Sequence, residues 1–293
     1  MRNVLGAIKK LLFPKENLIG LEINDTALRL VSLSDGNLSL KKISVVLEPG
    51  VIEGGVIKNQ PKFLDSLKQL HNQFVSPKDK APVILITPSF NIYSKVFSVP
   101  PLVGENLEQA VELNLRSISP IEFESAYADW QQVGSEEKEG KIEVLGAFAP
   151  KTAVDSYIRS LEAANFLPIA VEFSALAITR AIKEYATDLD LNSPKVAINL
   201  ASDGIDFLVI KNGNLYFNYF VPWKLVSEEG TNERVISLKD FQEILSREIK
   251  KVVTFYGGHW GGKLDQLILV TQALEQEISD FIKTNFNLPV INL

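Results

Sequence analysis

The sequence predicts an α/β protein of two duplicated halves, with a βαββα subdomain inserted into the first half. Three observations support this fold class. Short strand and helix patterns alternate along the chain, a stretch near residue 20 recurs near residue 196, and the pattern between residues 88 and 168 matches neither half. The predicted organisation is an N-terminal amphipathic segment at 1–16, a first half at 17–87 plus 169–193, the inserted subdomain at 88–168 and a second half at 194–293.

Composition limits the possible functions. Apolar residues make up 46% and charged residues 23% of the 293 residues, which is typical of a folded globular protein. The net charge of −6 argues against a nucleic-acid partner, because that surface needs concentrated Lys and Arg. The absence of cysteine excludes disulfides and thiolate metal sites, and two histidines make a histidine metal site unexpected. No apolar run approaches the roughly 20 residues that span a bilayer.

The first 16 residues show an amphipathic pattern that Pro14 ends. The apolar side chains that share one helical face are Val4, Leu5, Ile8, Leu11 and Leu12. Arg2, Lys9 and Lys10 lie off this face. The segment is too short for a signal peptide and has no small-residue cleavage site. It is therefore a helix docked on the body, a contact of residues 1–13 with an anionic membrane surface, or a frayed end.

The first half and the insert are predicted from periodicity. Alternation in the first half predicts strands at 18–24, 27–33, 37–46 and near 51–57. The continuous apolar run VILIT at 83–87 predicts a fully buried strand. A helix follows Pro61. The insert is predicted to contain strands at 93–99, 126–132 and 141–148, and a helix that ends at Ser119. Its last helix starts near Thr152 with Asp155 completing a capping box, and the charged loop 135–140 is a solvated hairpin tip.

The rest of the chain continues the strand and helix pattern. The predicted strands are 169–173, 195–200, 205–210, 214–220, 266–270 and 288–293. One helix runs from Ser174 to about Tyr185 and another crosses 274–285. Between them, Ser237 and Asp240 form a capping box that opens a long helix.

An internal repeat relates the two halves. Residues 19–38 align without a gap on residues 196–215 at a constant offset of 177, so the turn at 22–26 falls on 199–203. A chance match is the alternative, since any two hairpins share alternation and a glycine turn. The actin-like (RNase H-like) ATPases typically consist of two related halves. Each half opens with a hairpin whose first turn points into an interdomain cleft.

Four segments carry a resemblance to a known family. They are IGLEINDTALRLVSL, LEPGVIEGGVIKN, PPLVGENLEQAVELNLRSISPIEFESAYADWQQVG and APKTAVDSYIRSLEAANFLPIAVEFSALAITRAI. In this order they resemble PilM, the actin-like cytoplasmic family of type IV pilus assembly, from about residue 17 to the end. The position and size of the insert resemble the subdomain of the cell-division protein FtsA. The resemblance also implies a second half that is shortened at its C-terminus.

The resemblance implies a site for ATP and Mg²⁺, whose first loop is Glu22 to Thr26. Relatives carry Asp-Ile-Gly-Ser/Thr there, and the glycine lets backbone N–H groups reach phosphate oxygens. In this chain Glu22 is the acid, Asn24 replaces the glycine, Asp25 adds negative charge and Thr26 follows. Arg29 is the nearest cation to the implied phosphates.

The rest of the implied site is altered as well. Its residues are Asn199, Ser202, Asp203, Gly204, Glu248, Lys251, Thr271 and Gln272. The neutral Asn199 replaces the acid of the second loop and Ala201 replaces its first glycine, although Ser202 and Gly204 are usable donors. Both glycines of the adenosine loop are missing. Glu248 and Lys251 have an alternative interpretation, in which they are simply solvated on an exposed helix face. These changes predict a degenerate nucleotide cleft with weak or absent ATP hydrolysis, no catalytic residue and no metal ligand.

The predicted function is a scaffold at the cytoplasmic side of the inner membrane. The resemblance implies other pilus assembly proteins as partners, and the N-terminal tail of a PilN-like membrane protein in a groove between the first half and the insert. Aromatic residues near that groove are Phe90, Tyr93, Phe97 and Trp130, although core packing explains them equally well. The alternatives are an active ATP-binding ATPase, or a scaffold of GspL or FtsA type in a secretion or division machine. GspL continues into a transmembrane helix, and FtsA carries its anchor at the C-terminus.

Overall fold

A computed structural model describes residues 19–33, 40–87, 89–135, 140–186, 188–223, 237–271 and 273–293. The predicted amphipathic segment 1–16, the tip of the loop 135–140, and Gln272 lie outside these residues. Among the described residues, no helix is both long enough and apolar enough to cross a lipid bilayer.

Strands and helices alternate as predicted. The strands are β1 (Ile19–Ile23), β2 (Ala27–Leu33), β3 (Leu40–Val46), β4 (Ile52–Glu53), β5 (Val56–Ile57), β6 (Ala81–Thr87), β7 (Tyr93–Val99), β8 (Ala126–Ser135), β9 (Ile142–Pro150), β10 (Phe166–Phe173), β11 (Lys195–Leu200), β12 (Gly204–Lys211), β13 (Asn214–Pro222), β14 (Leu267–Val270) and β15 (Val290–Asn292). The helices are α1 (Gln60–Phe74), α2 (Glu105–Ile118), α3 (Lys151–Ala163), α4 (Ser174–Tyr185), α5 (Leu238–His259) and α6 (Glu275–Phe286).

The first compact unit comprises Met1–Thr87 and Ser156–Glu172. Its five-stranded sheet has the order β3-β2-β1-β6-β10, in which β1 runs antiparallel to β2 and parallel to β6. One face of this sheet forms the core with α1 and α3. The helix residues in this core are Phe63, Leu67, Leu70, Tyr157 and Leu161.

The second compact unit comprises Pro88–Asp155 and Phe173–Leu293. Its main sheet has the order β13-β12-β11-β14-β15. Seven successive residues of β12 are buried, from Gly204 to Ile210, which is the pattern of a strand covered on both faces. Ile182 of α4, Leu245 of α5 and Ile282 of α6 share its core.

The two sheets share order and register, which confirms the predicted duplication. Glu22 pairs across β1 and β2 with Arg29, and Asn199 pairs across β11 and β12 with Asp206, at the same offset of 177. The turn bonds also correspond. The Asn24 N–H donates to the Ala27 carbonyl over 3.1 Å, as the Ala201 N–H does to the Gly204 carbonyl over 2.9 Å. A chance resemblance of two hairpins does not explain equal pairing and equal turn bonds.

The insert forms a three-stranded antiparallel sheet of order β7-β9-β8. Helix α2 covers one face through Val111 and Leu115, which pack with Val144 and Phe148. Helix α3 contributes Tyr157 to the core of the first unit, although the prediction placed it in the insert. The predicted domain bounds were drawn from the internal repeat in the sequence, whereas the two compact units are defined by spatial proximity. The two divisions are therefore not equivalent, and the predicted bounds stay a prediction.

Three local predictions have clear outcomes. Ser237 caps α5 by accepting the Asp240 N–H over 3.1 Å, which confirms that capping box. The box at Thr152 is wrong, because α3 already begins at Lys151. The strand predicted near 51–57 is wrong as a single strand. It is the hairpin of β4 and β5, which turns at Gly54 and Gly55 with φ of 58° and 69°.

Candidate functional site

The first loop, Glu22 to Thr26, is closed by its own asparagine. Asn24 is buried, and its Oδ1 accepts hydrogen bonds from the Thr26 N–H at 3.0 Å, the Ala27 N–H at 2.8 Å and the Thr26 hydroxyl at 3.0 Å. Backbone N–H groups are what a phosphate-binding turn offers to an anion. In this loop the side chain of Asn24 takes the place of that anion.

The charged groups of the first loop also have partners within the first unit. Arg29 Nη1 donates to Glu22 Oε2 over 3.0 Å. Asp25 accepts the Gly54 N–H at 2.6 Å and the Gly55 N–H at 2.9 Å, so its carboxylate ties the first loop to the hairpin of β4 and β5. The structure therefore gives Asp25 a structural contact that the sequence pattern did not indicate.

The second loop, Asn199 to Gly204, begins at a row of hydrogen-bonded polar side chains. Asn199 Nδ2 donates to Asp206 Oδ2 over 3.1 Å, and the Ser174 hydroxyl donates to the same oxygen over 3.3 Å. Ser89 lies 3.1 Å from Ser174, hydroxyl to hydroxyl. Sequence reasoning missed Asp206, although a lone acid inside the apolar run GIDFLVI is a visible signal. Each repeated strand pair thus holds one carboxylate, at Glu22 in the first half and at Asp206 in the second.

The tip of the second loop is built around Trp223. Its Nε1 donates to the Ala201 carbonyl and its backbone N–H donates to the Asp203 carbonyl, both at 3.0 Å. A Cβ atom on Gly204 would collide with the Val221 carbonyl oxygen and lie 2.5 Å from Cζ of Phe220. The glycine that the second loop retains is therefore required for packing against β13.

Glu248 is buried, so the interpretation that it is merely solvated on a helix face is wrong. Lys251 Nζ donates to both of its carboxylate oxygens at 2.9 Å, and Arg247 Nε donates at 2.7 Å. Burial would raise the pKa of Glu248, but the hydrogen bonds from Lys251 and Arg247 outweigh it and hold that pKa below its usual range. Glu248 and Lys251 are thus brought together as an ion pair.

The adenosine loop, Val270 to Ala273, is held by its own hydroxyl. Thr271 Oγ1 donates to the Ala273 carbonyl at 2.8 Å and accepts the Ala273 N–H at 3.2 Å. Leu274 follows in the left-handed conformation with φ of 56° and precedes α6. A glycine is the usual residue in that conformation.

These loops do not fit a magnesium nucleotide. Asn24 Oδ1 already accepts the N–H groups of the first loop, and Asn199 brings no charge to the second. Metal-assisted phosphoryl chemistry needs both free donors and acidic ligands.

The fold and sequence match known proteins. A family model described as type IV pilus assembly protein PilM matches residues 20–219. The structure of a PilM–PilN type IV pilus biogenesis complex is similar with a TM-score of 0.76 and 14% identity, over 94% of this chain and 88% of that chain.

Two further structures are similar at lower TM-scores. A Bacteroides thetaiotaomicron protein with an actin-like ATPase fold and unknown function has a TM-score of 0.50 and 13% identity, over 95% of this chain and 91% of that chain. The ethanolamine utilization protein EutJ from Carboxydothermus hydrogenoformans has a TM-score of 0.52 and 9% identity, over 94% of this chain and 83% of that chain. These structures confirm the predicted actin-like fold. No curated protein sequence matches the chain.

Proposed function

Because this chain belongs to the PilM family of type IV pilus assembly proteins, we propose that it is a scaffold with weak or absent ATP hydrolysis. The scaffold acts at the cytoplasmic face of the inner membrane and binds the N-terminal tail of a PilN-like membrane protein. The observation that carries the loss of ATPase activity is Asn24, whose side-chain oxygen accepts three hydrogen bonds within the first loop.

The charges around the two loops support the same proposal. Glu22 is neutralised by Arg29 at 3.0 Å, and the carboxylate that Asn199 contacts is Asp206, which accepts from Asn199 and Ser174. An active ATPase would need an acid at position 199 and accessible N–H groups at positions 26 and 27, which Asn24 Oδ1 occupies here. Losing such groups commonly lowers a rate by orders of magnitude.

Isothermal titration with Mg-ATP tests the nucleotide part of the proposal. We expect no saturable heat up to about 1 mM ATP, the upper end of common KM values, and no release of phosphate. The variant carrying Asn24→Gly and Ala201→Gly should gain measurable binding, because it removes the Asn24 oxygen that occupies the loop N–H groups and restores a glycine to each loop. The matched control carries Asn192→Gly, at an exposed asparagine, in place of Asn24→Gly. This control should gain no nucleotide binding. Micromolar binding with turnover by the unmodified chain would contradict the proposal.

Two exposed aromatic residues of the insert support the binding of a peptide tail. Phe90 and Tyr93 are 42% and 43% exposed, and the Phe90 ring leans edge-on against Phe220 at 5.8 Å. Phe97 and Trp130, in contrast, pack against the core of the insert. Exposed aromatic side chains are common anchors of protein interfaces. We therefore assign the tail contact to Phe90 and Tyr93.

A pull-down and titration with a synthetic PilN-like tail tests this assignment. The double change Phe90→Ala and Tyr93→Ala is expected to weaken binding at least tenfold, which corresponds to a loss of about 1.4 kcal/mol. Tyr185→Ala removes an aromatic ring that is 75% exposed elsewhere in the second unit, and it should leave the affinity unchanged. Equal affinity for the double variant and the control would remove Phe90 and Tyr93 from the interface.

A further inference from the structure

The segment that carries the exposed rings of Phe90 and Tyr93 depends on its surroundings. Phe90 lies in a 3₁₀ turn, Ser89–Asn91, and Tyr93 is the first residue of β7. The Ile92 N–H closes this turn by donating to the Ser89 carbonyl over 3.3 Å. A 3₁₀ turn of three residues is too short to be stable by itself. Contacts with the rest of the second unit must therefore hold Phe90 in place.

The first contact is a row of polar side chains, which we call the polar row: Asn199, Asp206, Ser174 and Ser89. Asn199 Nδ2 donates to Asp206 Oδ2 over 3.1 Å, and the Ser174 hydroxyl donates to the same oxygen over 3.3 Å. A hydroxyl has a single hydrogen to donate, so Ser174 accepts the hydrogen bond from Ser89 over 3.1 Å. Ser89 and Asp206 are buried, which keeps water from replacing these bonds. The polar row therefore fastens the start of the turn to β12.

The second contact joins the same segment to strand β13. The Phe90 ring meets the Phe220 ring edge-on at 5.8 Å, with 66° between the two planes. Phe220 in turn lies against the second loop, since a Cβ atom added to Gly204 would be 2.5 Å from its Cζ. Beyond Tyr93, the Ser94 hydroxyl donates to Asn218 Oδ1 of β13. The exposed rings are thus held from both sides by residues of the second half.

We propose that the second loop and strand β13 hold Phe90 in the position that binds the tail. This inference rests on the proposed contact of the PilN-like tail with Phe90 and Tyr93. Ser174, Asp206 and Phe220 are then positioning residues, which act through Phe90. An aromatic anchor that is held in place before binding loses less side-chain entropy in the complex, so the polar row raises the tail affinity. In this chain the second loop thus contributes to binding a protein partner.

Titration of the full chain with the synthetic tail tests the proposal. Ser174→Ala breaks the polar row between Ser89 and Asp206, and it is expected to weaken tail binding about three- to tenfold. Ser279→Ala is the matched control, because Ser279 of α6 donates its hydroxyl to Asn292 Oδ1 over 2.7 Å in the same unit. Each change removes one side-chain hydrogen bond, so urea unfolding should show similar losses of stability. The control should keep the natural tail affinity.

A double-mutant cycle shows whether Ser174 acts through Phe90. In a chain that already carries Phe90→Ala, the Ser174→Ala change should cause no further loss of tail affinity, because the ring that the polar row positions is absent. The same fold loss in both backgrounds would overturn the proposal. Equal tail affinities of Ser174→Ala and Ser279→Ala would also overturn it.

Hydrogen exchange of the Ile92 amide gives a second measurement that needs no tail. This amide closes the turn, so Ser174→Ala should speed its exchange about threefold or more relative to Ser279→Ala. Equal exchange rates in the two variants would contradict the anchoring of the turn. If the natural protein binds no tail but Ser174→Ala speeds this exchange, the tail contact is wrong and the anchoring of the turn is right.

Discussion

The Gly204→Ala substitution is expected to lower the free energy of unfolding by about 3 kcal/mol, because the new Cβ atom overpacks a buried strand. The methyl group would collide with the Val221 carbonyl oxygen and the Phe220 ring. Backbone atoms of β13 cannot move aside cheaply, since β13 is hydrogen-bonded along β12 from Gly204 to Lys211. Urea unfolding followed by tryptophan fluorescence measures the change.

Gly258→Ala is the matched control for this change. Gly258 lies within α5, and a Cβ atom added there would have no neighbouring side chain within 4 Å. Alanine is preferred over glycine in a helix, so this variant should be more stable by about 0.5 to 1 kcal/mol. Equal stabilities of the Gly204 and Gly258 variants would contradict the packing argument.

The role of Gly204 changes how the second loop is interpreted. A glycine in a phosphate loop suggests that backbone is kept open for an anion. Here the same glycine is required by Phe220 and Val221, so its presence is not evidence for nucleotide binding. The packing of β13 is sufficient to retain it.

The sequence predicted well what periodicity and turns encode. The alternation of IGLEI and ALRLVSL, aligned on VAINL and GIDFLVI, predicted the duplicated hairpins, and the structure pairs them in equal register. This succeeds because the faces of a strand repeat every two residues, so a register shift would expose the apolar side chains.

The interior of the site was less predictable because its contacts join distant positions. Asp25 meets Gly54 and Gly55 at separations of 29 and 30 residues, and Ser174 meets Asp206 across 32. No periodic pattern reports such pairs. The pairing of Glu248 is local, but its burial depends on the sheet beneath α5, which a helix pattern alone does not show.

Tyr216→Phe is expected to lower the free energy of unfolding by about 2 to 3 kcal/mol, since it leaves a buried carboxylate without its donor. Tyr216 of β13 is fully buried, and its hydroxyl donates to Glu143 Oε2 of the insert over 2.8 Å. Lys211 Nζ is 4.0 Å from Glu143 and does not replace a hydrogen bond. Tyr185→Phe, at an exposed ring, is the control and should change stability by less than about 0.5 kcal/mol.

The dependence on pH separates this hydrogen bond from simple loss of packing. Burial, and then the hydrogen bond and charge of Glu143, raise the pKa of Tyr216 well above its ordinary value. Below about pH 10, tyrosine is protonated in both states and its contribution is complete. At higher pH the unfolded chain loses this proton while the folded chain keeps it, so stability falls by up to about 1.4 kcal/mol per pH unit.

The stability difference between the natural protein and Tyr216→Phe should therefore be constant from about pH 7 to about pH 9, and shrink by about 1 kcal/mol near pH 11. Ionisable groups away from Tyr216 and Glu143 are the same in both proteins, so their effects cancel in the difference. Urea unfolding at each pH gives the values. A difference that stays constant up to about pH 11 would contradict the raised pKa of Tyr216. A difference that shrinks would mean that the folded protein keeps the phenol proton, which Tyr216 donates to Glu143, to higher pH than the unfolded chain does.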